Sequence, residues 1–192
     1  MELSLATAWR VHATLARSRA NGPGSRFVVW TQGCSLACPG CFNPQTHTAV
    51  GATRQVGSVV REALTTTGID GVTVTGGEPL EQPAALAVFA GEISRAGLGV
   101  VVITGFSREE IESDPGLSAA VSDVDMLVAG RYNQRLRVAA GLRGSSNKVY
   151  WARSDRYTEE MFMEVPQAEV LIGPDGTVTL TGMVAHLGEE RR

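Results

Sequence analysis

Residues 70–105, DGVTVTGGEPLEQPAALAVFAGEISRAGLGVVVITG, decide the fold class. GVTVTG is a short β-rich run. QPAALAVFAGEISRAG places Pro83 in a first helical turn, sets Leu86, Phe89, Ala90 and Ile93 on one stripe and closes at Gly97. LGVVVITG follows as an apolar strand. Strand, helix and strand in this order form a βαβ unit, and the neighbouring sequence continues it. Upstream, TRQVGSVVREALTTTG (53–68) puts Val56, Val59, Val60, Ala63 and Leu64 on one helical face and ends at Gly68. Downstream, Ser107 and Glu110 make a capping-box pair for a helix through Ile111, and VDMLVAG reads as the next strand.

This alternation predicts an α/β protein whose helices cover a mostly parallel sheet. Ligands of such sheets bind outside the carboxyl ends of the strands. Those ends carry Gly33-Cys34, Thr75-Gly76-Gly77-Glu78, Thr104-Gly105-Phe106 and Gly130-Arg131, so the chemistry-bearing residues are expected on one rim. Further on, AEVLIGPDGTVTLTGM predicts a C-terminal β-hairpin turning at Pro174-Asp175-Gly176, and the closing GEERR is expected to fray. There is no internal repeat or linker, so one domain is expected over residues 1–192.

Composition narrows the function classes. With 192 residues, 43% of them hydrophobic, the chain can bury a core without staples. A formal net charge of -3 gives no global basic field, which argues against binding driven by neutralising nucleic-acid phosphates. No apolar run approaches the roughly 18 residues of a membrane span. The N-terminal stretch holds Arg10, Arg17 and Arg19 but no continuous apolar segment, and reads as a first strand and a loop, not a targeting segment. A soluble protein of the reducing cytoplasm is the expectation.

All three cysteines, Cys34, Cys38 and Cys41, fall within GCSLACPGCFN (33–43). Odd and clustered, they do not make a disulfide framework. Thiolates at this density suit a soft metal, either zinc or iron–sulfur. Zinc would need a fourth ligand, for which His47 is the candidate, in an interaction module. A four-iron cluster held by three thiolates would keep one iron open, and an open metal position marks a reaction site. Gly33, Pro39 and Gly40 suit a tight loop whose amides approach cluster sulfurs.

C-x3-C-x2-C after a strand, followed by TGGEPL after the next, resembles the radical S-adenosylmethionine (SAM) superfamily. The resemblance implies an incomplete parallel β/α barrel and a [4Fe-4S] cluster on Cys34, Cys38 and Cys41. It also implies SAM on the open iron, cleaved reductively to methionine and a 5′-deoxyadenosyl radical, with Gly76, Gly77, Glu78 and Pro79 as the motif at the methionine amino group. Phe42 replaces the aromatic that most members place before the last cysteine, and CPGCFN is similar to the glycyl-radical-enzyme activases, above all the anaerobic ribonucleotide reductase activating type. NGPGSR, ITGF, DMLVAGRYN and RGSSNK agree with that type over about residues 21–148. Ala129 and Lys148 depart from it, standing where the activases usually have an acidic or amide residue.

The activase likeness implies a glycine Cα in a partner enzyme as the hydrogen donor and a flavodoxin or ferredoxin as the reductant. A radical SAM enzyme acting on a small molecule or peptide is the alternative. The backbone of Phe42 and Asn43 is expected beside the adenine, Thr104 and Asp125 at the ribose or methionine, and Arg26, Arg131 and Arg143 are candidate carboxylate ligands. Trp30 and Trp151 are expected in the core, and His12 and His186 are expected to be structural.

Overall fold

A computed structural model describes residues 4–183. The strands are β1 (Ala8–Ser18), β2 (Arg26–Thr31), β3 (Thr53–Gln55), β4 (Gly71–Gly76), β5 (Gly99–Ile103), β6 (Met126–Ala129), β7 (Val149–Ala152), β8 (Ala168–Ile172) and β9 (Val178–Gly182). The helices are α1 (Val56–Thr65), α2 (Pro83–Arg95), α3 (Arg108–Ser113), α4 (Pro115–Ala120) and α5 (Glu159–Met163). Seven strands form one sheet in the order β3-β1-β2-β4-β5-β6-β7, and β8 and β9 form the expected hairpin.

The sheet is mixed. β2, β4, β5 and β6 run parallel, joined by crossovers through α1, α2 and the α3–α4 pair. β1 and β7 pair antiparallel with β2 and β6. The reason is connectivity: the loop over residues 130–148 stays at the rim where β6 ends, so β7 can only run back. The sheet has two ends, β3 and β7, and is not a closed barrel.

Side chains alternate across the central strands as period two requires. Phe27, Val29, Val72, Val74, Val100 and Val102 meet Val59, Leu86, Phe89, Ile93 and Ile111 on the helical face. Val101, Met126 and Val128 face Leu142, Tyr157, Phe162 and Val165 on the other. Each large buried side chain stabilises the fold by about 1.5–3 kcal/mol.

Several expectations are corrected. Leu64 is 45% exposed, because the stripe that meets the sheet is Val56, Val59, Val60 and Ala63 and α1 ends one residue later. Residues 53–55 pair with β1 and are not the start of the helix. Trp30 and Trp151 are half-buried; the core tryptophan is Trp9, stacked at a tilt on Phe89. The hairpin turn is fastened by Asp175 Oδ1, which accepts from Thr177 N, with Gly176 in the left-handed region. His186 and the GEERR tail lie outside the described residues. His12 Nδ1 lies 2.8 Å from Gln32 Oε1. Among the described residues no helix is long and apolar enough to cross a membrane.

Candidate cluster and cofactor site

The carboxyl ends of the parallel strands converge as the βαβ pattern requires, and a cleft opens there. It is lined by Cys34, Cys38, Cys41, Phe42, Asn43, Gly76, Gly77, Glu78 and Thr104, together with His47, Tyr132, Arg143, Gly144 and Lys148. The cleft spans about 670 Å³ of space, including open solvent at its mouth.

The cysteine loop is tied to the sheet by its backbone. Gly33 N donates to Thr46 O (2.8 Å), Cys34 N to His47 O (3.0 Å) and Glu78 N to Gly33 O (2.8 Å). Ser35 N and Oγ both donate to Glu81 Oε1 (2.8 and 2.6 Å), fastening the loop to the turn that follows β4. Gly77 is required by the approach of two chains, since a Cβ there would run into the Gly33 carbonyl. Ala37, between the first two cysteines, has φ of 43°, a left-handed conformation that a non-glycine residue adopts only when its surroundings enforce it.

All three thiols are free and half-buried. Burial pushes the Cys34 and Cys41 thiols up; backbone amides oppose it, including Asn43 N, which donates to Cys41 Sγ at 3.3 Å. Amide-to-sulfur donation of this kind is what a thiolate ligand needs around it. Among the described residues no three His, Cys, Asp or Glu side chains converge on a single ion position.

Glu78 is 1% exposed, and its carboxylate is used inside the protein. Oε1 accepts from Leu80 N (2.9 Å) and Thr104 Oγ1 (2.7 Å), and Oε2 from Gly105 N (2.7 Å). Burial raises its carboxyl above the ordinary range, and the three donors oppose that rise. Glu78 thus clamps the ends of β4 and β5 together. Thr104 completes the clamp, its hydroxyl also accepting from Phe106 N (3.0 Å) and its carbonyl receiving Lys148 Nζ (3.0 Å). Lys148, fully enclosed, is lowered to about 8, chiefly by burial.

Phe42 lies at the mouth, with Tyr132 edge-on at 5.1 Å and the Arg137 guanidinium 4.9 Å over its ring. Pro79 is buried, opens the turn Pro79–Glu81 and does not line the cleft. Among the described residues four buried side-chain polar atoms lack a hydrogen-bond partner, and three of them, His47 Nε2, Tyr132 Oη and Arg143 Nε, belong to residues lining this cleft.

Two expectations fail here. Asp125 precedes β6 and so sits at the amino end of the sheet, where its Oδ2 accepts from Val100 N (2.8 Å) and its Oδ1 from Ser154 Oγ (2.5 Å). Arg26 opens β2, also at the amino end, and its guanidinium donates to Tyr157 Oη, Val72 O and Gly99 O. Arg131 stands at the correct rim but is held by Gly105 O and Glu110. Only Arg143 of the three candidates lines the cleft. Lys148, Tyr132 and Gly144 also line the cleft; Tyr132 and Gly144 are marked in the sequence only by their place in the DMLVAGRYN and RGSSNK stretches, and Lys148 also by its departure from the activase pattern.

A parallel α/β core with thiols and a glycine-lined strand end at its carboxyl rim defines the class, a cluster-bearing α/β protein of the radical SAM kind. A family model described as "4Fe-4S single cluster domain" matches residues 20–151. The anaerobic ribonucleoside-triphosphate reductase-activating protein of Enterobacteria phage T4 is 30% identical over 143 residues, spanning 70% of this chain and 88% of the phage protein. The protein of that name from Salmonella typhi is 30% identical over 150 residues, 73% of this chain and 96% of the relative. A pyruvate formate-lyase-activating enzyme of Listeria monocytogenes is 37% identical over 99 residues, 48% of this chain and 40% of that enzyme. The chain belongs to the 4Fe-4S single cluster domain family, among the radical SAM activases, and its cofactors are a [4Fe-4S] cluster and SAM.

Proposed function

We propose that this protein is a radical SAM activase that installs a glycyl radical on a partner enzyme. The observation supporting it is the meeting of Cys34, Cys38 and Cys41 with the Gly76-Gly77 strand end in one cleft. A [4Fe-4S] cluster bound here would supply the one-electron chemistry that cleaves SAM reductively and so permits hydrogen-atom abstraction from a glycine Cα.

The residues of this chain divide the remaining work. Cys34, Cys38 and Cys41 would hold the cluster as thiolates, a set of three that leaves room for SAM to bind beside it. The backbone carbonyls at Gly76 and Gly77 would accept from the amino group, and glycine is needed there because a Cβ would run into Trp30 and Thr31 or into Gly33. Glu78 and Thr104 position that turn from beneath. Phe42 and Asn43 border the adenine. Lys148 is mostly protonated at neutral pH, and its buried ammonium offsets the negative charge of a thiolate-bound cluster.

We read the open sheet as a partial barrel on a single domain, a form that suits a macromolecular hydrogen donor. Anaerobically reconstituted protein given SAM and dithionite should form 5′-deoxyadenosine and methionine. With the glycyl radical enzyme added, a glycyl radical signal should appear by electron paramagnetic resonance. If no 5′-deoxyadenosine forms with the partner present, the proposal fails.

A further inference from the structure

A second cavity opens beside the cofactor cleft, between β1 and the C-terminal hairpin, and spans about 1270 Å³ of space, including open solvent at its mouth. Phe42, Asn43, Thr75, Ile103 and Met183 line both cavities, so the two are continuous. The hairpin lies outside residues 20–151, and the family likeness therefore implies no role for it.

The lining of this cavity carries no Asp, Glu, Lys or Arg side chain. Its one titratable group is His12, whose Nδ1 lies against Gln32 Oε1. An ionised small metabolite would find no counter-charge there, whereas a neutral chain of amides needs none. Gln45 and Thr179 offer uncharged polar groups, and Trp30, Leu180 and Met183 offer apolar surface.

Strand edges, not faces, border the cavity. Side chains alternate across a strand, so a space over one face touches every second residue. Here consecutive residues line it, 12–15 of β1 and 179–183 at the end of β9. Among the described residues β9 pairs with β8 alone. Gly173 N donates to Thr177 O and Met183 N to Gln167 O, both at 2.8 Å. The same alternation makes Glu169–Thr181 and Leu171–Thr179 the hydrogen-bonded pairs of the hairpin. Val178 and Leu180 therefore direct their N–H and C=O groups away from β8, to the unpaired edge. That edge is held in place: Ser18 Oγ and Arg19 N donate to Glu169 Oε2 (2.7 and 2.9 Å), and Asn21 Nδ2 to Thr181 Oγ1 (2.8 Å). Leu180 shares its face with the exposed Val170, Ile172 and Val178, a run of apolar surface leading out of the cavity.

We propose that the β9 edge receives an extended, uncharged peptide segment, the glycine-bearing stretch of the hydrogen donor, laid beside it as an added strand. The inference rests on the activase reading above and names where its macromolecular substrate docks. An added strand takes affinity from main-chain hydrogen bonds and selectivity from alternate side chains, and this edge supplies both. The inner end of such a segment arrives at Met183 and Phe42, on the boundary shared with the cofactor cleft.

The test uses anaerobically reconstituted holoprotein and an end-capped nonapeptide with a central glycine between valines and uncharged polar flanks. Binding, followed by tryptophan fluorescence because Trp30 stands at the cavity wall, should be saturable. Glutamates in place of the polar flanks should weaken it about tenfold. N-methylation of alternate peptide amides should weaken binding about tenfold for one set and little for the other, the period-two signature of strand pairing. Leu180→Asp should raise the Kd about tenfold with iron content unchanged. The peptide series needs no variant, so it decides the matter even if Leu180→Asp does not fold. Absence of binding, equal binding of the glutamate peptide, or indifference to both N-methylated sets overturns the proposal. So does a holoprotein dimer that Leu180→Asp dissociates, which would assign the hairpin to a second copy of this chain. Failure of wild-type protein to form 5′-deoxyadenosine would instead remove the activase reading, and the peptide titrations would still judge the cavity.

Discussion

The two rims of the sheet treat buried polar groups in opposite ways. At the amino rim, Arg26 is fully buried, yet its guanidinium reaches Tyr157 Oη and two backbone carbonyls, and Asp125 is paired with Val100 N and Ser154. At the carboxyl rim, three residues lining the cleft present buried polar atoms with no protein partner, beside three free thiols. A buried polar group without a partner costs about 1–3 kcal/mol. One rim is therefore finished by the chain itself, and the other carries its unsatisfied groups where ligands bind. Charge alone did not distinguish them, since each rim buries a cation.

The sharpest way to break this comparison is at the thiols. Cys34→Ser, Cys38→Ser or Cys41→Ser should reduce iron from about four per chain and abolish 5′-deoxyadenosine formation, while the thermal melt of the apoprotein moves little. Iron analysis and anaerobic turnover check it; a serine variant that keeps both would sink the site.

Arg26→Met should do the reverse. Removing the guanidinium leaves Tyr157 Oη and two buried carbonyls without partners, so the protein should lose about 2–4 kcal/mol in denaturant unfolding. Iron bound per folded chain should not change. A variant as stable as wild type would mean that the amino rim is not the closed, structural end described here.

Glu78→Gln tests the clamp. The amide keeps the volume but turns one acceptor into a donor facing Leu80 N, Thr104 Oγ1 or Gly105 N. Activity should fall about 10–100-fold, the usual cost of a lost outer-shell contact, with KM for SAM affected and the iron retained. His47→Ala sharpens the choice of metal. It should leave iron content near wild type, whereas a zinc module would lose its metal.

The smallest expected effect is at Ser107, whose capping box with Glu110 is intact in the structure. Ser107→Ala should cost about 1 kcal/mol and alter neither iron nor turnover. A large loss of activity would show that α3 communicates with the rim.

Sequence reading was strongest where information is local. Helix stripes, the Ser107 cap, the hairpin turn and three thiols within eight residues depend on neighbours along the chain, so periodicity and spacing reveal them. The place of Asp125 is encoded too, since it precedes the residues of β6, and in a strand parallel to β5 that puts it at the amino end and not at the expected rim. The glycine motif is legible in the sequence, but the fate of the Glu78 carboxylate is not, because its partner Thr104 lies 26 residues away.

By itself the sequence determined that the site is a soft-metal one, because three thiols within eight residues suit zinc or iron–sulfur and leave either short of a fourth cysteine. Tertiary structure alone decided which charges serve the site. Arg26 and Lys148 are both buried cations, and they differ only in the rim to which strand direction and loop closure carry them. That depends on contacts such as Lys148 with Thr104, 44 residues apart, and no local pattern encodes a pairing of that range.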